Sequence, residues 1–203
     1  MAISSYSELQ TAVSNWLDRP DLAGIIPDFI FLAEAKFNRR LRTMEMESRA
    51  TTDTIAGQAF YALPDDALAI TNIQLNTNPK TVLERYTKEQ VDREYATGTG
   101  QPRVFTINAN QIELGPSPDS NYELEISYYE EIPVLSDTNT TNWLLDQAPD
   151  LYLYGALMEA APYVKDKDAI VFWSQKYEPT MKRIQSADVK DKWATGPLTM
   201  QST

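Results

Sequence analysis

The chain contains neither cysteine nor histidine among its 203 residues. Without cysteine it has no disulfide bond, no thiolate nucleophile and no thiolate ligand for a metal ion. Without histidine it lacks the commonest general base near neutral pH and the commonest nitrogen ligand for zinc. The composition therefore excludes Ser-His-Asp, Cys-His and zinc-protease sites, and any hydrolase built on this chain must use carboxylates, lysine or tyrosine.

Glycine and long apolar runs are also scarce. The seven glycines form no GxGxxG pattern and no Walker-type GxxxxGK pattern, so no phosphate-binding loop is recognisable. No run of about 18 apolar residues occurs, so we expect neither a transmembrane segment nor a membrane partner.

Carboxylates are the remaining candidates for catalysis. A glycosidase needs two carboxyl groups about 5 to 10 Å apart, and Glu123 and Glu125 alternate along one β-rich stretch. Alternating carboxylates of this kind are typical of a solvated sheet face, and Asp65-Asp66 after Pro64 is typical of a turn. The sequence therefore predicts no catalytic residue, no cofactor and no metal site, with a carboxylate glycosidase as the weakest alternative.

The charge balance is strongly acidic, with 29 acidic against 18 basic side chains and a formal net charge of −11. Such a chain is repelled by the phosphate backbone of DNA. One basic cluster nevertheless occurs near the end of a predicted helix, and we call it the basic patch: Lys36, Arg39, Arg40 and Arg42. Three interpretations stay open for it: a solvated helix C-terminus, a docking surface for an acidic protein, and a nucleic-acid contact.

Helical periodicity dominates the first 48 residues. Ser5 with Glu8 forms a capping-box pattern at the start of a helix that ends before Asp18. Leu9, Val13 and Trp16 fall on its apolar side, so Trp16 is predicted to be a core residue. A second helix follows Pro27, and its apolar positions recur at steps of three or four residues: Ile30, Ala33, Phe37 and Leu41.

Residues 49–134 change to short β-rich stretches separated by turn residues. One short helix interrupts them, with Thr87 and Gln90 as its capping pair. The predicted strands are Thr51 to Ile55, Phe60 to Leu63, Ala69 to Leu75, Thr81 to Arg85, Arg103 to Ile107, Gln111 to Leu114 and Tyr122 to Glu130. Together these features predict an α+β fold in which helices at both ends flank a central antiparallel sheet, either a small sandwich or barrel-like.

Residues 135–203 are predicted to form an exposed polar linker, a helical hairpin and a loop-like tail that contains Trp193. In the first helix of the hairpin Leu151, Tyr154, Met158 and Ala161 share one face, next to the small residues Gly155 and Ala160. In the second helix the apolar stripe is Ile170, Trp173, Tyr177, Met181 and Ile184. The small residues would let a neighbouring helix approach closely. The whole of residues 1–203 is predicted to be a single domain.

The hairpin resembles the C-terminal hairpin of the adaptor, or head-to-tail connector, proteins of short-tailed bacteriophages, the family typified by the phage SU10 adaptor. The resemblance extends to Phe60–Leu75 and to the two N-terminal helices. The matching residues of the hairpin are Leu153, Tyr154, Gly155, Ala156, Leu157, Glu159, Ala160, Ala161, Pro162, Asp166, Asp168, Trp173 and Tyr177.

This resemblance implies a structural virion protein without enzymatic activity. By resemblance, the chain is a subunit of an oligomeric ring, twelve subunits in the family, made in the host cytoplasm and placed in the virion neck. It would join the portal protein to a tail nozzle or tail tube protein and continue the DNA channel, with passage of duplex DNA but no specific binding.

The residues expected to contact the portal or a neighbouring subunit are Tyr154, Gly155, Met158, Ala160, Trp173, Tyr177, Met181 and Trp193. The basic patch is the second expected docking surface. Tyrosine and tryptophan are common at interfaces because one end is apolar and the other forms hydrogen bonds. Saccharide stacking is the rival use of such side chains, so the alternative function is a carbohydrate-binding β-sandwich module of a phage tail or collar.

Overall fold

The computed structural model describes the backbone of residues 3–194 and the side chains up to Ala187. These residues form two compact units. The helical unit joins the described residues up to Glu45 with those from Ile132 onward, and the sheet unit is Met46–Glu131. The α+β class with helices at both ends is confirmed. The assignment of residues 1–203 to one domain stays a prediction.

The N-terminal helices form as their sequence signals indicate. Helix α1 is Tyr6–Leu17, and the Ser5 side chain accepts a hydrogen bond from the backbone amide of Glu8 at 3.4 Å. The Glu8 carboxylate departs from a standard capping box because it accepts from the amide and hydroxyl of Ser4, at 2.8 and 2.7 Å. Helix α2 is Ile26–Arg40 with Pro27 in its first turn. Its predicted apolar face is buried: Ile30, Ala33, Phe37 and Leu41.

The C-terminal part differs from the predicted hairpin in two ways. Its first arm is divided into helices α4, Trp143–Gln147, and α5, Pro149–Tyr163, because a residue before proline is pushed out of the α region. Ala148 accordingly has φ −139° and ψ 62°. The second arm, α6, is Lys167–Ala194 and extends past Ala187, where a loop-like tail was expected. Asp166 caps α6 by accepting the amides of Asp168 and Ala169, at 3.0 and 2.9 Å.

Helix α5 lies at the centre of the helical unit, in contact with α1, α2, α4 and α6. A helix with neighbours on most sides has no single apolar stripe, and the buried residues of α5 are spread widely around its axis. They are Leu151, Tyr152, Leu153, Gly155, Ala156, Leu157, Ala160 and Ala161. Of the predicted face, Leu151 and Ala161 are buried, whereas Tyr154 and Met158 are only partly buried.

The sheet unit contains two four-stranded sheets, in the orders β1-β8-β3-β4 and β2-β7-β6-β5, and neither closes into a barrel. The strands are β1 Glu47–Asp53, β2 Phe60–Ala62, β3 Ala67–Leu75, β4 Thr81–Val82, β5 Glu84–Arg85, β6 Val104–Asn108, β7 Gln111–Gly115 and β8 Glu123–Glu130. Strands β5 and β6 pair in parallel and the other pairs are antiparallel. The parallel pair needs a crossover, which includes helix α3, Lys88–Glu94.

Both sheets contribute to one core, as in a sandwich. Ile73, Leu124 and Ile126 of the first sheet join Ile112 and Leu114 of the second. Alternate residues of β8 point into this core because side chains on a strand alternate between its two faces. The sandwich alternative therefore describes the sheet unit, and the barrel-like alternative does not.

Candidate protein-binding surface

Four aromatic rings from three helices meet on the surface of the helical unit, and we call them the aromatic patch: Trp16, Tyr154, Phe172 and Trp173. The ring centroids of Trp16 and Trp173 are 5.7 Å apart, and those of Tyr154 and Trp173 are 6.1 Å apart and stacked. The centroid of Phe172 lies 4.7 Å from that of Trp173, edge to face. These are favourable aromatic pair geometries, so the patch is a coherent cluster.

Two of the four aromatic side chains in the patch are more exposed to solvent than is usual for large aromatic residues. Trp16 is 54% exposed and Phe172 is 50% exposed. Tyr154 and Trp173 are partly buried beneath them.

The prediction that Trp16 is a core residue was wrong. Its periodicity is that of Val13, but it lies in the last turn of α1, where its ring contacts are with Tyr154 and Trp173. Clustered exposed aromatic surface is characteristic of protein interaction sites.

A groove runs along one side of the patch, between the end of α1 and the turn that connects α5 with α6. It is lined by the two tryptophans, by the apolar residues Leu17, Ala161, Val164 and Ala169, and by Arg19 and Asp166. The rim therefore carries one charge of each sign. Asp166 is engaged as the cap of α6, and Arg19 forms a bidentate ion pair with Asp21 at 2.7 to 2.8 Å.

The structure places four of the predicted interface residues inside the helical unit: Gly155, Ala160, Tyr177 and Met181. A Cβ atom on Gly155 would lie 3.0 Å from the Phe37 ring and 3.1 Å from the Cβ of Ala33. The neighbouring helix that approaches the small-residue face is therefore α2 of the same chain. Tyr177 stacks on Phe37 at 6.3 Å between ring centroids. These four residues stabilise the subunit and present no surface to a partner.

Three of the other predicted residues, Tyr154, Met158 and Trp173, are partly exposed, so their contact with a partner stays a prediction. Trp193 lies outside the described side chains. Two further residues of the surface were not expected from the sequence, Trp16 and Phe172. The adjacent aromatic pair Phe172-Trp173 was a usable signal, because neighbours on a helix point about 100° apart and both seldom face one core.

The basic patch is largely engaged within the chain. Lys36 forms an ion pair with Glu159 of α5. Arg40 forms two hydrogen bonds of 2.8 Å with Glu178 of α6, which hold the pKa of that carboxyl below its usual range. Arg42 donates to the backbone carbonyls of Asn38 and Leu41. Arg39 is exposed and forms no ion pair within the described residues. Docking through these cations stays a prediction, with Arg39 as its most available member.

Two buried carboxylates of the sheet unit, Glu113 and Glu125, are also engaged by cations. Glu125 lies 3.6 Å from Arg49 and 3.7 Å from Lys80, and hydrogen bonding from Asn76 is the main cause that lowers its pKa. Glu113 accepts from Lys88 at 2.9 Å. Across the described part of the chain, no three potential ligand side chains are grouped as a metal site requires. Nor does any helix there have the length and hydropathy needed to cross a bilayer.

Taken together, these features describe an α+β protein that exposes an aromatic patch on its helical unit and pairs two buried carboxylates with cations on its sheet unit. The comparison with curated proteins gave no match. The chain belongs to the SU10 adaptor protein family, which it matches over residues 4–201. It is thus a bacteriophage adaptor protein, a structural component of the virion that interacts with other virion proteins.

Proposed function

We propose that this chain is one subunit of an oligomeric ring in the virion neck, with twelve copies by family resemblance. The ring joins the portal protein to the tail nozzle or tail tube protein and continues the DNA channel between them. The match to the adaptor family over residues 4–201 supports this proposal because it spans both the helical and the sheet unit.

The exposed aromatic patch identifies the residues that we propose for the contact. About half of the surface of Trp16 and of Phe172 is exposed to solvent. Aromatic side chains contribute strongly to binding when a partner buries them, so these two side chains are available as contact residues. The proposed role of the patch is contact with the portal or with the neighbouring subunit of the ring. Tyr154 and Trp173 support the two exposed rings from below.

The charge of the chain fits a DNA conduit that does not bind its cargo. A net charge of −11 repels the phosphate backbone. The Lys36 and Arg40 side chains, which otherwise would attract DNA, are paired with Glu159 and Glu178. A carbohydrate-binding module is less favoured because the aromatic patch lies on the helical unit and not on the sandwich.

Reconstitution with the portal protein of the same phage tests the proposal. Native mass spectrometry and electron microscopy should show the unmodified chain as a ring on the portal. The double variant Trp16→Ala, Phe172→Ala should reduce occupancy at least tenfold, because two half-exposed anchors each contribute upward of about 1 kcal/mol at an interface. The variant should keep its fold, since about half of each side chain is already in solvent.

A matched control is Phe31→Ala. Phe31 is 57% exposed on α2 and makes no ring contact with the patch. Normal occupancy for this control, with loss for the double variant, assigns the contact to the patch. Equal occupancy of all three chains would show that the patch is not the contact, and failure of the unmodified chain to join the portal would contradict the ring.

A further inference from the structure

A buried carboxylate in the helical unit is only half satisfied by hydrogen bonds. Glu34 of α2 is 2% exposed. Its Oε1 atom accepts the backbone amide of Leu135 at 2.9 Å and the hydroxyl of Tyr152 at 3.1 Å. Its Oε2 atom is buried without a hydrogen-bond partner among the described residues. A buried carboxylate oxygen without a partner is costly whenever the group is ionised.

Glu34 is part of a larger set of bonds that fasten one stretch of chain, residues 132–142, which we call the return segment. It follows the sheet unit in sequence and belongs to the helical unit. Asn38, one turn after Glu34, accepts the amide of Ile132 at 2.9 Å. Asn142 donates to the carbonyl of Pro133 and to the Tyr152 hydroxyl, both at 2.7 Å. The return segment is thus held to α2 at Ile132 and Leu135.

The electrostatic surroundings of Glu34 favour its neutral form. Burial raises the pKa of its carboxyl to about 7, against the two hydrogen bonds, which lower it. Burial also raises the pKa of Tyr152, so this residue stays a neutral hydroxyl. Three charged groups of the surrounding helices are engaged by other residues: Glu8 by Ser4, Lys36 by Glu159, and Asp150 by Arg183. Asp28 and Arg39 of α2 are exposed. Asp137 of the return segment is exposed, as is Asp146 of α4.

We propose that Glu34 is a proton-operated clasp, which holds the return segment on α2 while its carboxyl is neutral and lets the segment open when it ionises. Opening admits water to Oε2 and removes the penalty of a buried charge. The clasp therefore couples the local order of the return segment to pH, without any change in the rest of the helical unit.

The direction of the effect follows from linkage. In the open form the carboxyl has its ordinary pKa near 4.5, and in the closed form the pKa is about 7. The closed form thus binds the proton more tightly. Its stability relative to the open form is greatest below pH 4.5 and decreases as the pH rises to about 7. From pH 5 to pH 8 the opening constant should increase by roughly 70-fold, since the two values differ by about 2.5 units.

Amide hydrogen exchange measured by NMR on the full chain tests the clasp. The protection factor of the Leu135 amide, corrected for intrinsic exchange, should fall by roughly 70-fold from pH 5 to pH 8. In Glu34→Gln, which keeps an acceptor oxygen but does not ionise, the protection factor should be independent of pH. Amides in the middle of α5, such as those of Ala156 and Leu157, are the internal control and should not follow this change.

Two outcomes would overturn the clasp. The first is pH-independent protection of Leu135 in the unmodified chain, and the second is a parallel fall in the α5 amides, which would mean global rather than local opening. A carbon-13 titration of the Glu34 carboxyl in the unmodified chain makes the test independent of whether the variant folds. A midpoint well above 4.5, with the protection factor falling between pH 4.5 and that midpoint, supports the clasp, and a midpoint near 4.5 refutes it.

Discussion

Gly155 shows how a single small residue sets the distance between two helices. Its backbone lies against Phe37 and Ala33 of α2, and a Cβ atom there would come within 3.0 and 3.1 Å of their side chains. Phe37 is fully buried and stacks on Tyr177, so it has little freedom to move away. The close contact of α5 with α2 thus depends on the absence of a side chain at this position.

We expect Gly155→Leu to lower the free energy of unfolding of the helical unit by about 2 to 3 kcal/mol. The added side chain must displace the Phe37 ring or separate α5 from α2, which is the usual cost of overpacking. Urea unfolding followed by near-ultraviolet circular dichroism measures the change.

The control for this substitution is Gly24→Ala, because no atom lies within 4 Å of a Cβ at Gly24. It should change the free energy of unfolding by less than about 0.5 kcal/mol. If Gly155→Leu unfolded like the control, the small-residue face would not be a packed contact.

At the scale of elements, helix α6 packs on α5 and is also bonded to the C-terminal end of α2. Tyr177 and Met181 are fully buried. The guanidinium of Arg40 donates a hydrogen bond to the Glu178 carboxylate and lies 5.7 Å from the Tyr177 ring centroid. Gln185 donates to the carbonyl of Arg40 at 2.9 Å. Arg40 therefore serves the attachment of α6, where the sequence suggested an external docking role.

We expect Arg40→Gln to destabilise the helical unit by less than about 1 kcal/mol, since the pair with Glu178 is partly exposed. The ion pair lowers the folded-state pKa of Glu178, so its contribution is present above pH 4.5 and disappears as the carboxylate is protonated. The difference in unfolding free energy between variant and unmodified chain should therefore shrink at acid pH and in high salt.

The exchange variant Arg40→Glu, Glu178→Arg is the control, because it restores the pair with the charges reversed. It should recover most of the stability that Arg40→Glu alone loses. A double variant as unstable as that single one would indicate that the charge pair does not hold α6 in place.

At the scale of the whole molecule, the sheet unit is continuous in sequence and the helical unit is not. Met46–Glu131 contains the eight strands that the structure describes and their shared core. The helical unit depends on residues from both ends of the chain, since α2 packs on α5 and the amide of Tyr6 bonds the carbonyl of Thr140 at 2.8 Å. The two units should therefore respond differently to truncation.

We expect the fragment Met46–Glu131 to fold by itself into the sandwich, with a cooperative urea transition and a β-type circular dichroism spectrum.

The complementary truncation, removal of the chain from Asp166 onward, should leave that transition in place and abolish the cooperative unfolding of the helical unit. The reason is that the truncation removes the buried Tyr177 and Met181, and with Tyr177 the ring that stacks on Phe37. A fragment that fails to fold would mean that the sandwich needs the helical unit.

Much of the fold was determined by the sequence alone, because local signals decide local structure. Capping residues and proline set the starts of α1, α2 and α3, and alternating apolar residues located the strands to within a few residues. The acidic balance and the lack of histidine and cysteine restricted the chemistry, and three segments in the expected order were enough to indicate the adaptor family.

Only the tertiary structure decided which side chains are available to a partner. Periodicity identifies a face of a helix, but not how many neighbours cover it: four helices contact α5, while Trp16 at the end of α1 stays exposed. Gly155 and Tyr177 were therefore assigned to an interface although they are buried within the chain, and Trp16 was assigned to the core although it is exposed. Lys36 and Arg40 of the basic patch form intrachain ion pairs, while docking through the patch stays a prediction. The bond between Glu34 and Leu135 joins residues 101 positions apart, a separation at which sequence carries no local signal.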